Sequence, residues 1–137
     1  MGLIHLDAGV LIGFLDTSDA HHQTSRAALA DALRHGDHFA LAASALAECL
    51  VGPARRGQSA VDAVRTLIDR FPIEIISLDI EIATTAAKIR AAHHALRLPD
   101  ALIIATAIEQ AADRLITTDR KWPTAKALTY KGTITQL

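Results

Sequence analysis

Four carboxylates, Asp7, Glu48, Asp100 and Asp119, are the residues whose types and placement suggest chemistry. Asp7 ends the mostly apolar run Gly2-Leu3-Ile4-His5-Leu6, and Asp119 follows Leu115-Ile116-Thr117-Thr118, so each stands at the carboxyl edge of an expected strand. Asp100 opens an apolar helix, and Glu48 is flanked by Ala45, Leu46, Ala47, Cys49 and Leu50. Carboxylates gathered where water is scarce raise one another's pKa and oppose folding unless something neutralises them. A divalent cation is the simplest neutraliser. Oxygen donors without a Cys or paired-His framework select Mg²⁺ or Mn²⁺ over zinc, and Mg²⁺ keeps several waters and accepts phosphate oxygens. The implied chemistry is metal-assisted phosphodiester hydrolysis. Taken singly, an Asp after a strand is as often a helix N-cap, and a lone Glu is more often solvated, so the argument rests on their shared placement.

The elements that must position these acids alternate along the chain. A strand over residues 2–6 leads into a short buried helix, Ala8 to Leu15, and an amphipathic helix from about Ala20 to Arg34, capped by Ser18 or Asp19 and stopped at Gly36. Phe39 to Ala42 reads as a second strand, followed by a helix from Ala43 to Val51 that stops near Gly52-Pro53, a basic loop Arg55-Arg56-Gly57, and a helix from Ser59 to Arg70. Ile73 to Ser77 reads as a third strand. Asp79 caps a helix to about Leu96, Pro99 begins another that runs to Ala112, Leu115 to Thr118 forms a fourth strand, and Ala127 to Tyr130 a last one. Strands alternating with helices predict a three-layer α/β/α domain with a short, mostly parallel sheet, whose ligand sites lie at the carboxyl ends of strands.

Composition bounds the rest. The 137 residues are 50 % hydrophobic with a net charge of −1, which suits one domain over residues 1–137 with its own core and excludes a broadly basic nucleic-acid binder. Twenty-seven alanines against five aromatic residues favour close-packed helices over base-stacking platforms. Cys49 is alone and cannot form an internal disulfide, and no leader or long apolar span opens the chain, so a soluble protein of the cytoplasm is expected, with no membrane attachment.

Four segments resemble, in order and spacing, the acidic motifs of PIN-domain ribonucleases, and in particular the toxins of VapBC toxin-antitoxin pairs. They are Leu6-Asp7-Ala8-Gly9-Val10-Leu11-Ile12, Ser44-Ala45-Leu46-Ala47-Glu48, Leu98-Pro99-Asp100 through Ala107, and Leu115-Ile116-Thr117-Thr118-Asp119-Arg120-Lys121-Trp122. The resemblance implies a PIN-like fold and a metal-dependent endoribonuclease. It implies Asp7 and Asp100 as the principal ligands of Mg²⁺ or Mn²⁺, with Glu48 and Asp119 binding directly or through water, and Thr118 as a supporting or phosphate-contacting hydroxyl. It further implies an RNA substrate, a small antitoxin that occludes the acidic pocket, and assembly as a homodimer and a toxin-antitoxin hetero-oligomer. The chain departs from the pattern at Gly9, where many members carry Ser, Thr or Asn.

Other readings compete. A phosphoaspartate phosphatase needs a second Asp where Gly9 stands, and a receiver domain wants a Lys where Asp119 stands. A catalytically silent PIN-like module that only binds RNA or protein is the remaining alternative. The adjacent pairs His21-His22 and His93-His94 point about 100° apart on a helix and make poor chelates. Cys49 has no activating cation, Trp122 reads as a packing residue, and Arg55, Arg56, Arg97, Arg120, Lys121 and Lys126 are candidates to line an RNA approach.

Overall fold

Apolar runs separated by helices of matching length fold here into a wholly parallel sheet, in a computed structural model that describes residues 1–137. β1 (Leu3–Leu6) is followed by α1 (Ala8–Leu15) and α2 (His22–Arg34), and β2 (His38–Ala42) by α3 (Ala43–Arg56) and α4 (Gln58–Arg70). β3 (Ile73–Ile76) is followed by α5 (Ile80–Ala92) and α6 (Leu98–Glu109), then β4 (Arg114–Thr117) and β5 (Thr133–Gln136). The strands pair in the order β3-β2-β1-β4-β5, each neighbour parallel. Parallel crossovers are right-handed, so the helices between β1 and β3 cover one face, and α5 with α6 covers the other as the chain returns to β4. The result is the three-layer α/β/α arrangement, with a sheet parallel throughout. Strand order reverses between β1 and β4, and the crevice beyond the carboxyl ends of two such strands is where open parallel sheets bind ligands.

Central strands covered on both faces are apolar without alternation, and Ile4, Leu6, Phe39, Leu41, Leu115 and Ile116 are all buried. The alanines act as spacers. Ala40, Ala42, Ala45, Ala101, Ala105 and Ala107 are buried, letting α3 and α6 approach the sheet closely. α6 is buried along most of its length, as expected of a helix apolar nearly all round.

Several boundaries differ from expectation, each for a physical reason. α3 does not stop at Gly52-Pro53 but carries Pro53 inside it and ends at Gly57, whose φ of +122° suits a residue without a Cβ. Pro53 is buried within the helix and its carbonyl accepts the Gly57 N–H at 3.1 Å, closing the last turn, so Arg55 and Arg56 lie in that turn and not in a loop. α2 begins at His22, because Asp19 Oδ1 accepts the His21 N–H in a turn before the helix instead of capping it. Gly36 stands just beyond its end at φ +74°, as predicted. α5 stops at Ala92, and Leu96 reaches the core from a turn closed by Leu96 N–H to the His93 carbonyl at 3.0 Å. α6 ends at Glu109, short of Ala112, and β4 runs over Arg114–Thr117, one residue earlier than expected. The last strand is Thr133–Gln136, not Ala127 to Tyr130. Leu128 and Tyr130 are buried by a turn, with the Tyr130 hydroxyl donating to the Ala112 carbonyl at 2.7 Å, while Thr133–Gln136 completes the sheet by pairing with β4.

Candidate active site at the strand ends

Asp7 is the pivot. It leaves the end of β1 in extended conformation and caps α1, its Oδ1 accepting the Ala8 N–H at 2.7 Å. Its Oδ2 accepts the Thr117 hydroxyl at 2.7 Å, and its backbone N–H donates to the Ile116 carbonyl at 2.9 Å, so the ends of β1 and β4 are tied together through this residue. The carboxylate is 7 % exposed, and burial pushes its pKa up to about 6 against the two hydrogen bonds that favour the charge, with Asp100 and Glu48 adding repulsion. The N-cap and the candidate catalytic acid are thus one residue.

Asp100 lies in the first turn of α6, 6 % exposed, with both its oxygens facing Arg97: Nε to Oδ2 at 3.1 Å and Nη2 to Oδ1 at 3.4 Å. Glu48, from α3, is half-buried, and its Oε1 is buried with no hydrogen-bond partner. Burial and the Asp100 charge raise its pKa, and Arg97 opposes them. Asp119 follows β4 by two residues. Its N–H donates to Thr117 Oγ1 at 3.0 Å, and its Oδ1 accepts the Lys121 N–H at 2.8 Å, which fixes the turn that aims it. Asp7, Glu48 and Asp100 act on one another electrostatically, and Asp119 joins them through the shared Thr117 hydroxyl and through Arg97, on which its charge acts.

The donor set suits a hard divalent cation: oxygens only, two nearly buried carboxylates, and an unpartnered buried oxygen on Glu48. As the side chains stand, no three of them are set together to hold an ion; Asp100 pairs with Arg97, and Asp7 is held by Thr117 and Ala8. The residues fit the group in kind and location, and an ion would have to draw them in.

Two side chains at the site escape a reading of the sequence alone. Thr117, not Thr118, is the hydroxyl that holds Asp7, and it is fully buried at the end of β4, where both faces of the sheet are covered and alternation gives no signal. Arg97 is one of six candidate cations in the sequence, and its position three residues before Asp100 at a helix start is the one signal that sets it apart. Thr118 occupies the room that a side chain at position 9 would take: a Cβ on Gly9 would run into its hydroxyl. The histidine pairs make no metal cluster, Cys49 is buried with its thiol pushed up to about 12, and Trp122 is buried as a packing residue. Of the other basic candidates, Arg55, Arg56, Arg120, Lys121 and Lys126 are all exposed.

Beside Glu48 runs a cavity of about 700 Å³ between α1, α3 and α4, lined by Ile12, Leu15, Cys49, Pro53, Val64 and Leu67, with Asp16 and Arg56 as its other charged members. α4 therefore contributes a face to it, whereas α2 packs on α1 and lines none of it.

The fold and site define a class, an α/β domain with an acidic cluster where its parallel sheet reverses strand order. The chain belongs to the PIN domain family, whose model matches residues 4–128. Its fold is that of VapBC2 from Rickettsia felis, solved bound to a DNA fragment from its promoter, at 17 % identity and a TM-score of 0.68 over 98 % of each chain. It is also that of Mycobacterium tuberculosis VapC20, a Sarcin-Ricin loop cleaving toxin, at 16 % identity and a TM-score of 0.69 over 86 % of this chain and 91 % of that one. A toxin-antitoxin complex from Klebsiella pneumoniae matches at 23 % identity and a TM-score of 0.65, over 86 % and 88 %. No curated protein matches the sequence significantly. No helix is long and apolar enough to cross a membrane.

Proposed function

We propose that this chain is a metal-dependent endoribonuclease, one domain over residues 1–137, and the toxin of a type II toxin-antitoxin pair acting in the cytoplasm. The observation that carries the reading is that Asp7, Glu48 and Asp100, from three separate segments, lie near enough at the strand-order reversal to act on one another electrostatically, with Asp119 tied in by the Thr117 hydroxyl. Asp7 and Asp100 are the principal ligands for Mg²⁺ or Mn²⁺, with Glu48 and Asp119 completing the donor set. When bound, the ion supplies Lewis-acid polarisation of a phosphoryl oxygen and a more acidic water. Thr117 holds Asp7 in place, and one of the clustered carboxylates accepts a proton from an attacking water. Exposed Arg120 and Lys121, directly after Asp119, bind backbone phosphates of the RNA.

The solved relatives that are toxin-antitoxin complexes support a small antitoxin as partner. The cavity between α1, α3 and α4 is its seat, being apolar, open beside Glu48, and large enough for several side chains. A homodimer completes the assembly. The Arg97–Asp100 pair and the lack of a preformed triad favour one second reading, a catalytically silent PIN-like module. Cleavage of RNA by the wild type and by Asp100→Asn, with Mg²⁺ or Mn²⁺ and with chelator, decides between them. The nuclease requires activity that is lost in the variant and in chelator; equal, chelator-resistant cleavage sinks the metal mechanism, and no cleavage under any condition leaves the silent module.

A further inference from the structure

Arg97 is the residue whose placement the mechanism above leaves unused. Its backbone is extended at φ −71° and ψ 153° just before α6, and its side chain folds back across three residues to Asp100. The two partners differ sharply in environment, with side-chain exposures of 70 % for Arg97 and 8 % for Asp100. The guanidinium covers both Asp100 oxygens, and it is the one ion pair made by any of the four acids. Glu48 and Asp119 also act on it through space, so a single positive charge stands among three of the carboxylates.

A buried carboxylate stripped of its partner is costly, whereas an arginine on an exposed arm loses little by swinging into water. The pair therefore opens from the Arg97 side. The guanidinium takes one lone-pair site on each Asp100 oxygen and sets a positive charge beside it, so a divalent cation has to compete with Arg97 for that carboxylate. We propose that Arg97 is a displaceable internal counter-ion, which neutralises Asp100 in the unloaded chain and competes with the divalent cation for that carboxylate. The chain then stays folded without the ion, and loading has a threshold set by the arginine. This inference rests on the metal-dependent reading of the site, but its test does not rest on cleavage.

Titration of MnCl₂ into the purified chain by calorimetry, without RNA, compares the wild type with Arg97→Gln and Arg97→Lys at fixed salt. Arg97→Gln binds Mn²⁺ more tightly, by fivefold to tenfold as an order of magnitude for a half-exposed pair. Arg97→Lys, which keeps the charge but not the two-pronged fork, falls between. Melting in chelator and in Mn²⁺ gives a second measure: Arg97→Gln melts lower than the wild type in chelator, and Mn²⁺ raises its midpoint by more. Binding by the variant alone, with none by the wild type, supports the same conclusion. Equal or weaker Mn²⁺ affinity in Arg97→Gln overturns the counter-ion while leaving the metal site intact. A midpoint lowered equally with and without Mn²⁺ overturns it as well, since that marks a purely structural pair. No Mn²⁺ binding by any of the three overturns both the inference and the metal-dependent site.

Discussion

At the scale of single residues, the site is held together against its own electrostatics. The rise of Asp7 from an ordinary 3.8 to about 6 corresponds to roughly 3 kcal/mol against its ionised form. Between those values the folded chain holds a proton that the unfolded chain has released, so this burden is absent below about pH 4 and complete above about pH 6. His5, two residues earlier, works in the opposite sense. It is fully buried between neighbouring strands with both ring nitrogens unpartnered, and burial pushes its pKa from 6.5 down to about 4. Its penalty is absent above about pH 6.5 and grows as the pH falls to about 4, where the unfolded chain takes up a proton that the folded chain refuses. The two nearly cancel across that window. Asp7→Asn, whose amide can donate to Thr117 while its oxygen keeps the Ala8 bond, is expected to stabilise the chain by about 2 kcal/mol at pH 7.5 and to expose the His5 slope on acidification. Thermal melts from pH 4 to 7.5 check both; a lower midpoint at neutral pH contradicts the burial argument. His5→Leu, which removes two unpartnered polar atoms, is expected to gain about 1–2 kcal/mol and to flatten the acid limb of the Asp7→Asn curve. At Gly9, a serine would collide with the Thr118 hydroxyl, so Gly9→Ser is expected to cost about 1–3 kcal/mol in chemical denaturation. Adding Thr118→Ala should recover most of it, and a purely additive double variant would show that the two positions are not in contact.

Elements succeed or fail here by their ends. α5 shows a local signal fulfilled: Asp79 Oδ1 accepts the Ile82 N–H at 2.8 Å, and Asp79→Ala is expected to cost about 1 kcal/mol in a urea melt. α3 shows one overridden, since Gly52-Pro53 carries the signature of a stop, yet the helix persists to Arg56, its last turn closed by the Gly57 N–H on the Pro53 carbonyl. That extra turn shapes the cavity beside Glu48, because it puts Pro53 and Arg56 on its wall. The four acids are legible because each borders an apolar run or sits within one, a pattern that survives in one dimension. Thr117 is not distinguishable there, because its neighbour Thr118 has the same chemistry and only a contact 110 residues away in sequence tells them apart.

For the whole molecule, the sheet order places Asp7 and Asp119 on either side of the strand reversal and leaves the cavity between α1, α3 and α4 open beside the site. If that cavity seats the antitoxin, a charge introduced at its exposed lining must be felt by the partner and not by the fold. Ala63→Glu is expected to reduce recovery of a co-expressed cognate antitoxin by at least tenfold while the thermal midpoint of the isolated chain stays within about two degrees. Undiminished recovery would move the seat elsewhere. By itself the sequence determined the alternation of strands and helices, the parallel α/β class and the four acids, because hydrophobic period, glycine stops and caps are local properties of a chain. Only the tertiary structure decided which hydroxyl grips Asp7, that Arg97 covers Asp100, that His5 is sealed without partners, and that Thr133–Gln136 rather than Ala127 to Tyr130 closes the sheet. Those outcomes depend on contacts between segments far apart in sequence, or on which way a side chain turns once its neighbours are packed, and no local pattern encodes them.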